Sequence, residues 1–230
     1  MSDPLVSVVI PLYNGVRHIG EAIESVLSQD YPKLELLVVD DGSQDGGAEV
    51  VKRYPQVRLI QQENQGPAVA RNVGVREATG DILAFLDADD LWLPGKVRQQ
   101  VDALLAAPAP CFVICETRLE FMSGNPIPAG YSQRMVETDH PSHLPSALMV
   151  KREVFEQVGD FDPQLRSGQD TDWFFRAIEA GIARELVPKT LFKKRIHDTN
   201  ITGTVAQTRQ SMMRNLKASL DRKRSQQSKS

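Results

Sequence analysis

Hydrophobic residues in the first hundred positions form short continuous runs that are separated by amphipathic segments. The runs lie at 5–11, 35–41 and 81–87, with a weaker run at 57–62. Runs that are apolar on both faces are typical of strands buried in a parallel sheet. Each run is therefore predicted to be a strand.

Helical stripes lie between and after these runs. The first stripe has the spacing of one helix face and comprises Ile19, Ala22, Ile23, Val26 and Leu27. The second comprises Val97, Val101, Leu104 and Leu105 and follows Pro94, which we expect in the first turn of its helix. Alternation of strand and helix predicts right-handed crossovers and a doubly wound, mostly parallel α/β sheet with helices on both faces.

The pattern changes after a strand-like segment at 111–121. Residues 122–145 contain four prolines, two glycines and no clear period, which predicts a long loop. An amphipathic helix at 170–181 and a strand-like segment at 184–197 follow. Near the end, Met212, Met213, Leu216 and Leu220 recur at helical spacing among basic residues.

Composition and charge narrow the class of protein. The 230 residues are 25% charged and 41% hydrophobic, which is ordinary for a globular domain. Cys111 and Cys115 are too far apart on a strand to bridge, so we expect reduced core thiols. No signal segment and no membrane-spanning run is recognisable, and we expect a cytoplasmic protein.

The net charge of −3 hides an uneven distribution. From Lys193 onward there are ten Lys and Arg and two acids, a balance of +8, while the preceding residues hold 17 bases and 28 acids, a balance of −11. A basic amphipathic tail at 205–230 is therefore predicted on an acidic body. The sequence leaves open whether this tail is solvated, pairs with another subunit, or lies on the inner membrane face as a peripheral contact.

Polar clusters follow several of the predicted strands. "PLYNG" (11–15) ends the first strand, "VDDGSQDG" (39–46) ends the second, and "LDADD" (86–90) ends the fourth. "GPAVARNVG" (66–74) opens a helix and brings Arg71 to the same rim. Since ligands bind beyond the carboxyl ends of parallel strands, we expect a site that collects carboxylates and an arginine here.

Several α/β classes lack support in this sequence. No G-x-G-x-x-G follows the first strand, and neither a G-x-x-x-x-G-K-[ST] phosphate loop nor a G-x-S-x-G elbow is present. A dinucleotide fold of the usual kind, a P-loop enzyme and an α/β-hydrolase are therefore unsupported.

Five ordered motifs resemble those of family 2 glycosyltransferases, which have the GT-A fold. They are "VSVVIPLYNG", "VVDDGSQDG", "NQGPAVARNVG", "GDILAFLDADD" and "GQDTDWFFR". The resemblance runs from about residue 5 to about residue 203 and implies a GT-A domain at 1–204. Within it we expect a nucleotide-binding half at 1–107 and an acceptor-binding half at 108–204.

The resemblance implies inverting transfer of a hexosyl group from a nucleoside diphosphate donor with the help of Mg²⁺ or Mn²⁺. In the "DAD" motif, Asp89 would hold the metal and Asp87 would accept hydrogen bonds from the ribose hydroxyls. In "KRIHDTNIT", His197 would be a further metal or diphosphate contact, with Arg195 as a phosphate partner.

The same resemblance implies a nucleoside pocket. Asp41 would accept a hydrogen bond from the base, which favours uracil because a carboxylate pairs well with an imide N–H. Arg71 would contact the base or a phosphate, and the floor would be formed by Pro11, Tyr13 and Asn14. A UDP-sugar is therefore the expected donor.

Inversion requires a general base opposite the leaving group. By resemblance this base is Asp170, although Gln169 replaces the glutamate that commonly precedes it in the family. The rival interpretation is that Asp170 and Asp172 only favour the helix dipole. Trp173 could stack on an acceptor sugar or pack in the core.

The predicted function is a metal-dependent inverting glycosyltransferase that acts on a sugar or lipid-linked acceptor, and we expect its place in polysaccharide or glycoconjugate synthesis. Two alternatives remain, a sugar nucleotidyltransferase and a non-catalytic sugar-nucleotide-binding protein. We expect no nucleic-acid partner, and the sequence leaves a homo-oligomer open.

Overall fold

The computed structural model describes residues 3–122, 138–165, 167–197 and 205–227. These residues contain nine strands: β1 (Val6–Leu12), β2 (Leu34–Asp40), β3 (Val57–Gln61), β4 (Ile82–Phe85), β5 (Leu91–Trp92), β6 (Cys111–Phe121), β7 (His140–Pro141), β8 (Met149–Lys151) and β9 (Ala183–Ile196). They also contain seven α-helices: α1 (Ile19–Leu27), α2 (Gly47–Val51), α3 (Pro67–Glu77), α4 (Lys96–Ala106), α5 (Arg152–Val158), α6 (Gln169–Glu179) and α7 (Val205–Gln227).

The strands form one sheet in the order β3-β2-β1-β4-β8-β6-β9-β5, and β7 pairs with β6. β1 pairs in parallel with β2 and with β4, and β2 pairs in parallel with β3. The short β8 is antiparallel to both β4 and β6, and joins the first half of the chain to the second. β6 and β9 are parallel, so the prediction of a largely parallel α/β sheet is confirmed.

The centre of the sheet is buried on both faces, as its uninterrupted apolar runs predict. Val8, Val9 and Ile10 of β1 are fully buried. α3 packs close to β1 because it carries Gly74 at the contact. A Cβ atom at Gly74 would lie 2.3 Å from Cγ1 of Val9, so a larger residue would force the helix away from the sheet.

A cluster of aromatic side chains fills the core that is formed by the second half of the chain. Trp173 is fully buried, stacks on Phe155 at 5.4 Å between ring centroids, and meets Phe112 edge-on at 6.0 Å. Its indole N–H donates to the carbonyl of Gly159 at 3.0 Å. Trp173 is therefore a core residue, and the alternative that it stacks on an acceptor sugar is wrong.

Two other local predictions have different outcomes. Cys111 and Cys115 are free and buried, as expected. Pro94, however, is not in the first turn of α4, because the helix begins at Lys96 after Gly95 in the left-handed conformation (φ +79°). The glycine turns the chain into the helix, and Pro94 lies in that turn.

The basic tail forms the 23-residue helix α7, which begins earlier than its apolar stripe suggests. It packs against α6 through a polar face, on which Ser211, Asn215 and Ser219 are buried. The interpretation of a solvated tail is therefore wrong for this helix. None of the helices in the described ranges combines the length and apolarity that crossing a bilayer requires.

Candidate active site

A cleft of about 1010 Å³ opens at the carboxyl ends of β1, β2 and β4 and is closed on one side by the start of α6. Its position agrees with the rule that parallel sheets bind ligands beyond the carboxyl ends of their strands. Nine of the ten residues that the sequence nominates line it: Pro11, Tyr13, Asn14, Asp41, Arg71, Asp87, Asp89, Asp170 and His197. The tenth, Arg195, does not line the cleft.

A buried ion pair lies in this cleft. Nη2 of Arg71 donates to Oδ1 of Asp87 at 2.6 Å, and their side chains are only 8% and 22% exposed. The buried Nε of Arg71 has no hydrogen-bond partner among the described residues, so the guanidinium keeps donor capacity. Burial alone would raise the pKa of Asp87, but the cations of Arg71 and Lys194 outweigh burial and hold it below its ordinary value.

The "DAD" loop gathers carboxylates that suit a divalent cation. One oxygen each of Asp87, Asp89 and Asp90 lie within 4.8 Å of one another. Nε2 of His197 lies 3.1 Å from Oδ2 of Asp89, and the ring of His18 stacks on that of His197 at 4.7 Å. Carboxylate oxygens with an adjacent imidazole match the ligand preference of Mn²⁺, and the carboxylates that of Mg²⁺.

Asp90 has a different environment from its two neighbours. It is fully buried, accepts from the hydroxyl of Ser146 at 2.7 Å, and accepts from the backbone N–H of Arg195 at 3.2 Å. Burial raises the pKa of Asp90 to about 7 against the opposing effect of Lys194 at 3.7 Å. Asp90 therefore anchors the loop to β9.

Asp41 is held by the loop that follows β3. Its Oδ1 accepts from the side chain of Gln62 at 2.7 Å and from the backbone N–H of Gln65 at 2.9 Å. Its Oδ2 accepts from the backbone N–H of Gly66 at 2.8 Å. A carboxylate has about four acceptor positions, so three donors fix its orientation and leave one position for a ligand.

Asn14 joins the loops after β1 and β2. It is the only non-glycine residue with positive φ in the described ranges (φ 49°). Its side-chain oxygen accepts from the backbone N–H of Gln44 at 2.9 Å, and its own N–H donates to Ser43 at 3.0 Å. Asparagine tolerates this conformation better than most residues. The neighbouring Tyr13 is 45% exposed beside the cleft.

Asp170 lies in the first turn of α6, where the chain enters the helix at Gly168. The backbone N–H groups of Asp170 and Thr171 lower the pKa of its carboxyl, so it does interact with the helix terminus. It also faces the cleft. Burial raises the pKa of Asp170 above its ordinary value, partly offset by these N–H groups and by Arg71.

Arg195 points away from the cleft. Its Nε donates to the backbone carbonyl of Asp89 at 2.6 Å, and its Nη1 pairs with Glu21. Lys194, the preceding residue, lines the cleft. The guanidinium of Arg195 thus supports the "DAD" loop from behind, and its direct contact with a phosphate stays a prediction.

Among the cleft residues that sequence reasoning missed are His18 and Lys194. His18 follows "PLYNG" shortly after the end of β1. It could have been predicted, because the site lies beyond the carboxyl ends of the parallel strands. Burial, with Arg195 and His197 nearby, lowers the pKa of His18, which favours its neutral form. Strand alternation places Lys194 and Arg195 on opposite faces, but it does not show which of the two faces the cleft.

The inner face of α7 holds the segment that precedes Asp170. The side chain of Asn215 donates to the carbonyl of Gly168 at 2.7 Å, and Arg214 donates to that of Ser167 at 2.6 Å. The hydroxyls of Ser167 and Ser211 are 2.5 Å apart. Gly168 has φ +79°, and a Cβ atom there would lie 2.9 Å from Nδ2 of Asn215, so both the backbone conformation and the contact favour glycine.

Arg222 extends this contact along α6. Its guanidinium binds both carboxylate oxygens of Glu179, at 2.7 and 3.1 Å, and lies 3.4 Å from Oδ1 of Asp172. The other oxygen of Asp172 accepts from Arg176 at 2.8 Å. α7 is thus fastened to α6 at both ends.

Known proteins with similar sequences are glycosyltransferases. The sequence pattern of the family described as "Glycosyl transferase family 2" matches residues 7–159. Glycosyltransferase AglE of Haloferax volcanii is 34% identical over 195 residues, which are 77% of this chain and 62% of AglE. An uncharacterized glycosyltransferase of Rickettsia typhi is 29% identical over 88% of this chain and 67% of its own length. The chain thus spans about two thirds of the length of these relatives.

Solved structures share the fold. Mannosyltransferase PcManGT from Pyrobaculum calidifontis, in complex with GDP-Man and Mn²⁺, superposes with a TM-score of 0.70 at 26% identity, covering 87% of this chain and 59% of that one. S. aureus TarS 1–349 in complex with UDP-GlcNAc superposes with a TM-score of 0.68 at 21% identity, covering 87% and 62%. The predicted GT-A fold is confirmed, and the chain belongs to glycosyltransferase family 2.

Proposed function

We propose that this chain is a metal-dependent, inverting glycosyltransferase that moves a sugar from a nucleoside diphosphate donor to an acceptor hydroxyl. The observation that carries the proposal is that Asp170, a carboxylate with a raised pKa, faces the same cleft as Asp87 and Asp89. A base and a metal-binding acid in one cleft are what an in-line displacement at an anomeric carbon requires.

The donor is proposed to be a UDP-sugar. The remaining acceptor position of Asp41 would receive the imide N–H of uracil, while Asp87 would accept from the ribose hydroxyls. Arg71 lines the cleft beside Asp87, which supports a role beside the base or the first phosphate. Among structurally similar proteins, TarS is known with UDP-GlcNAc and PcManGT with GDP-Man, so the choice of base needs a direct test.

Asp89 and His197 are proposed to hold Mg²⁺ or Mn²⁺. When bound, the cation would neutralise the charge that develops on the departing diphosphate. Lys194, beside the acidic loop, would add a second positive charge near the same group. Arg195 would act by fixing the backbone carbonyl of Asp89 rather than by touching the donor.

Asp170 is proposed to remove the proton from the acceptor hydroxyl as its oxygen attacks. The proton would pass to the carboxylate, whose raised pKa increases its affinity for it. The acceptor is a sugar or a lipid-linked alcohol, bound by the half at 108–204. Much of the expected acceptor loop, residues 123–137, lies outside the described residues.

The test is to incubate the chain with UDP-sugars, Mn²⁺ and candidate acceptors and to measure the products. A glycosyltransferase releases UDP, whereas a sugar nucleotidyltransferase releases pyrophosphate. We expect Asp170→Asn to remove transfer while donor affinity, measured by calorimetry, changes less than about threefold. Equal loss of donor affinity would assign Asp170 a structural role. Donor binding without release of UDP or pyrophosphate, in wild type and Asp170→Asn alike, would favour the non-catalytic binder.

A matched control is Asp172→Asn in the same helical turn. Asp172 is buried and pairs with Arg176 and Arg222. It does not line the cleft. We therefore expect this change to lower stability by roughly 1–3 kcal/mol and to leave the chemical step within about threefold of wild type.

A further inference from the structure

α7 packs on the domain with its polar side and turns its apolar side outward. Met212, Met213, Leu216 and Leu220 are 57, 65, 42 and 47% exposed. The buried positions are the polar Ser211, Asn215 and Ser219. This is the reverse of the usual surface helix, whose apolar stripe faces the core. We call these four apolar residues the outer stripe.

The outer stripe is continuous, unlike the rest of the exposed apolar surface. At 3.6 residues per turn, Met212, Leu216 and Leu220 follow one another along one side of the helix, with Met213 beside them. The other large exposed apolar residues in the described ranges are Tyr13 and Val16, in the cleft, and Leu105, Ile178 and Leu186, on three separate elements. A contiguous apolar patch of this kind marks an interaction surface.

Basic side chains border the outer stripe. Lys217, Lys223 and Arg224 are exposed and project within about a quarter turn of its centre by helical geometry. None of the three takes part in the contacts that fasten α7 to α6, which use Arg214 and Arg222. Their charges are therefore available to a partner on the same side as the apolar residues.

A second copy of the chain fits this surface poorly. An isologous pairing of two outer stripes would bring the same lysines and arginines to one interface, where they repel. Docking on the acidic body of another copy would neutralise the cations, but the scattered Leu105, Ile178 and Leu186 offer the outer stripe no continuous apolar partner. An anionic bilayer would both neutralise the cations and bury the outer stripe, because its headgroups carry negative charge and its acyl region accepts apolar side chains.

We propose that the outer stripe, with Lys217, Lys223 and Arg224, docks on an anionic membrane surface with α7 lying in the plane of the interface. The inner face of the same helix holds Ser167 and Gly168 at the cleft. Docking would therefore present the mouth of the cleft at a fixed orientation to the membrane. The inference does not depend on which reaction the cleft performs.

Co-sedimentation of the full chain with vesicles tests this docking. Vesicles of phosphatidylcholine would be compared with vesicles that contain about a third phosphatidylglycerol. We expect at least about tenfold stronger partitioning to the anionic vesicles and a loss of about tenfold between about 0.1 M and 0.5 M salt. No binding, or binding that is equal for both vesicles, would overturn the proposal.

Two variants separate the apolar and charged contributions. M212S/L216S/L220S should weaken binding to anionic vesicles at least about tenfold, because it removes the insertable side chains. K217Q/K223Q/R224Q should remove the preference for anionic lipid. Leu105→Ser, at a residue that is 55% exposed on α4, is the matched control and should bind as wild type. Circular dichroism and thermal melting check that each variant folds.

Two further measurements decide the occupant of the outer stripe. In M213W, tryptophan fluorescence should shift to the blue and be quenched by brominated acyl chains only with anionic vesicles, since Trp92 and Trp173 are buried. Light scattering should show a monomer in which the outer stripe is free. An oligomer that dissociates in M212S/L216S/L220S would instead assign the outer stripe to a second copy and overturn the proposal.

Discussion

Nη2 of Arg71 lies 2.6 Å from Oδ1 of Asp87, in a part of the cleft where both side chains are largely shielded from water. The arginine comes from α3 and the aspartate from the loop after β4, so the ion pair joins two elements that are adjacent only in the folded protein. It fixes the carboxylate before a nucleotide binds, which reduces the reorganisation that binding requires.

Replacing Arg71 should show how much the buried ion pair contributes to the stability of the fold. In Arg71→Ala the carboxylate of Asp87 loses its cation, and we expect the free energy of unfolding to fall by roughly 2–4 kcal/mol. Arg76→Ala is the matched control on the same helix, since Arg76 pairs with Asp160 at 3.2 Å but both side chains are more than half exposed. That change should cost less than about 1 kcal/mol in urea denaturation. Equal effects would show that water screens both pairs alike.

The pH dependence of transfer follows from the environment of Asp170. Burial raises the pKa of its carboxyl, and the general base must be ionised to accept a proton. The rate should therefore fall as the pH falls through this raised pKa, and the acid limb should lie above about 3.9, the ordinary value for aspartate. The measurement is kcat/KM against pH with saturating Mn²⁺. A profile that stays flat down to about pH 4 would contradict the raised pKa.

Metal dependence should distinguish the acids of the "DAD" loop. EDTA should abolish transfer, and Asp89→Asn should raise the Mn²⁺ concentration for half-maximal activity at least about tenfold, because a neutral amide is a weaker ligand. Asp90→Asn is the control, since Asp90 already accepts from Ser146 and Arg195, and burial raises its pKa. Its Mn²⁺ requirement should change less than about threefold. Full activity in EDTA would remove the metal role of Asp89.

The tail helix should affect catalysis through Asn215. Asn215→Ala removes the hydrogen bond to the carbonyl of Gly168, two residues before Asp170, and should loosen the start of α6. We expect kcat to fall about tenfold with little change in the donor KM, because the proposed base Asp170 is displaced while the proposed nucleotide pocket is untouched. Lys217→Ala, at an exposed position on the same helix, should leave both constants unchanged. A proportional loss of active protein, seen as lower soluble yield at constant kcat, would mean that Asn215 only supports folding.

The sequence predicts the first half of the fold well because its strands are buried on both faces, and their apolar runs are hard to mistake. The sequence also predicts the cleft. The loops that form it follow the carboxyl ends of parallel strands, and the order of the strands brings these loops together whatever the direction of individual side chains. The sequence does not predict the parts of the site that depend on the direction in which a side chain points. Arg195 and Lys194 are adjacent, and only the packing of Arg195 against Glu21 and Asp89 shows which of them faces the cleft. The packing of α7 through its polar face is also not predictable from the sequence. A stripe of apolar residues does not show which face of the helix packs against the rest of the domain.

A buried lysine outside the cleft gives a last prediction, on stability rather than activity. Lys96 is fully buried, with its Nζ 2.5 Å from Oε1 of Gln100 and 4.1 Å from the ring centroid of Trp92. Burial lowers the pKa of Lys96 to about 8, whereas the unfolded chain should show the ordinary value near about 10.4. Between these values the unfolded state binds a proton that the folded state does not, so the contribution of Lys96 to stability rises with pH over this window, by about 3 kcal/mol in total.

Lys96→Met should remove this dependence. The difference in the free energy of unfolding between wild type and Lys96→Met should move in favour of wild type as the pH rises from about 8 to about 10. Groups remote from Lys96 titrate alike in both proteins and cancel in the difference, whereas the buried thiol of Cys115 interacts electrostatically with Lys96 and loses that interaction in Lys96→Met. Lys52→Met, which removes an exposed lysine paired with Glu49, should show no such trend. Urea denaturation at several pH values gives the measurement, and a difference that stays constant would mean that water reaches the ammonium group of Lys96 in the folded state.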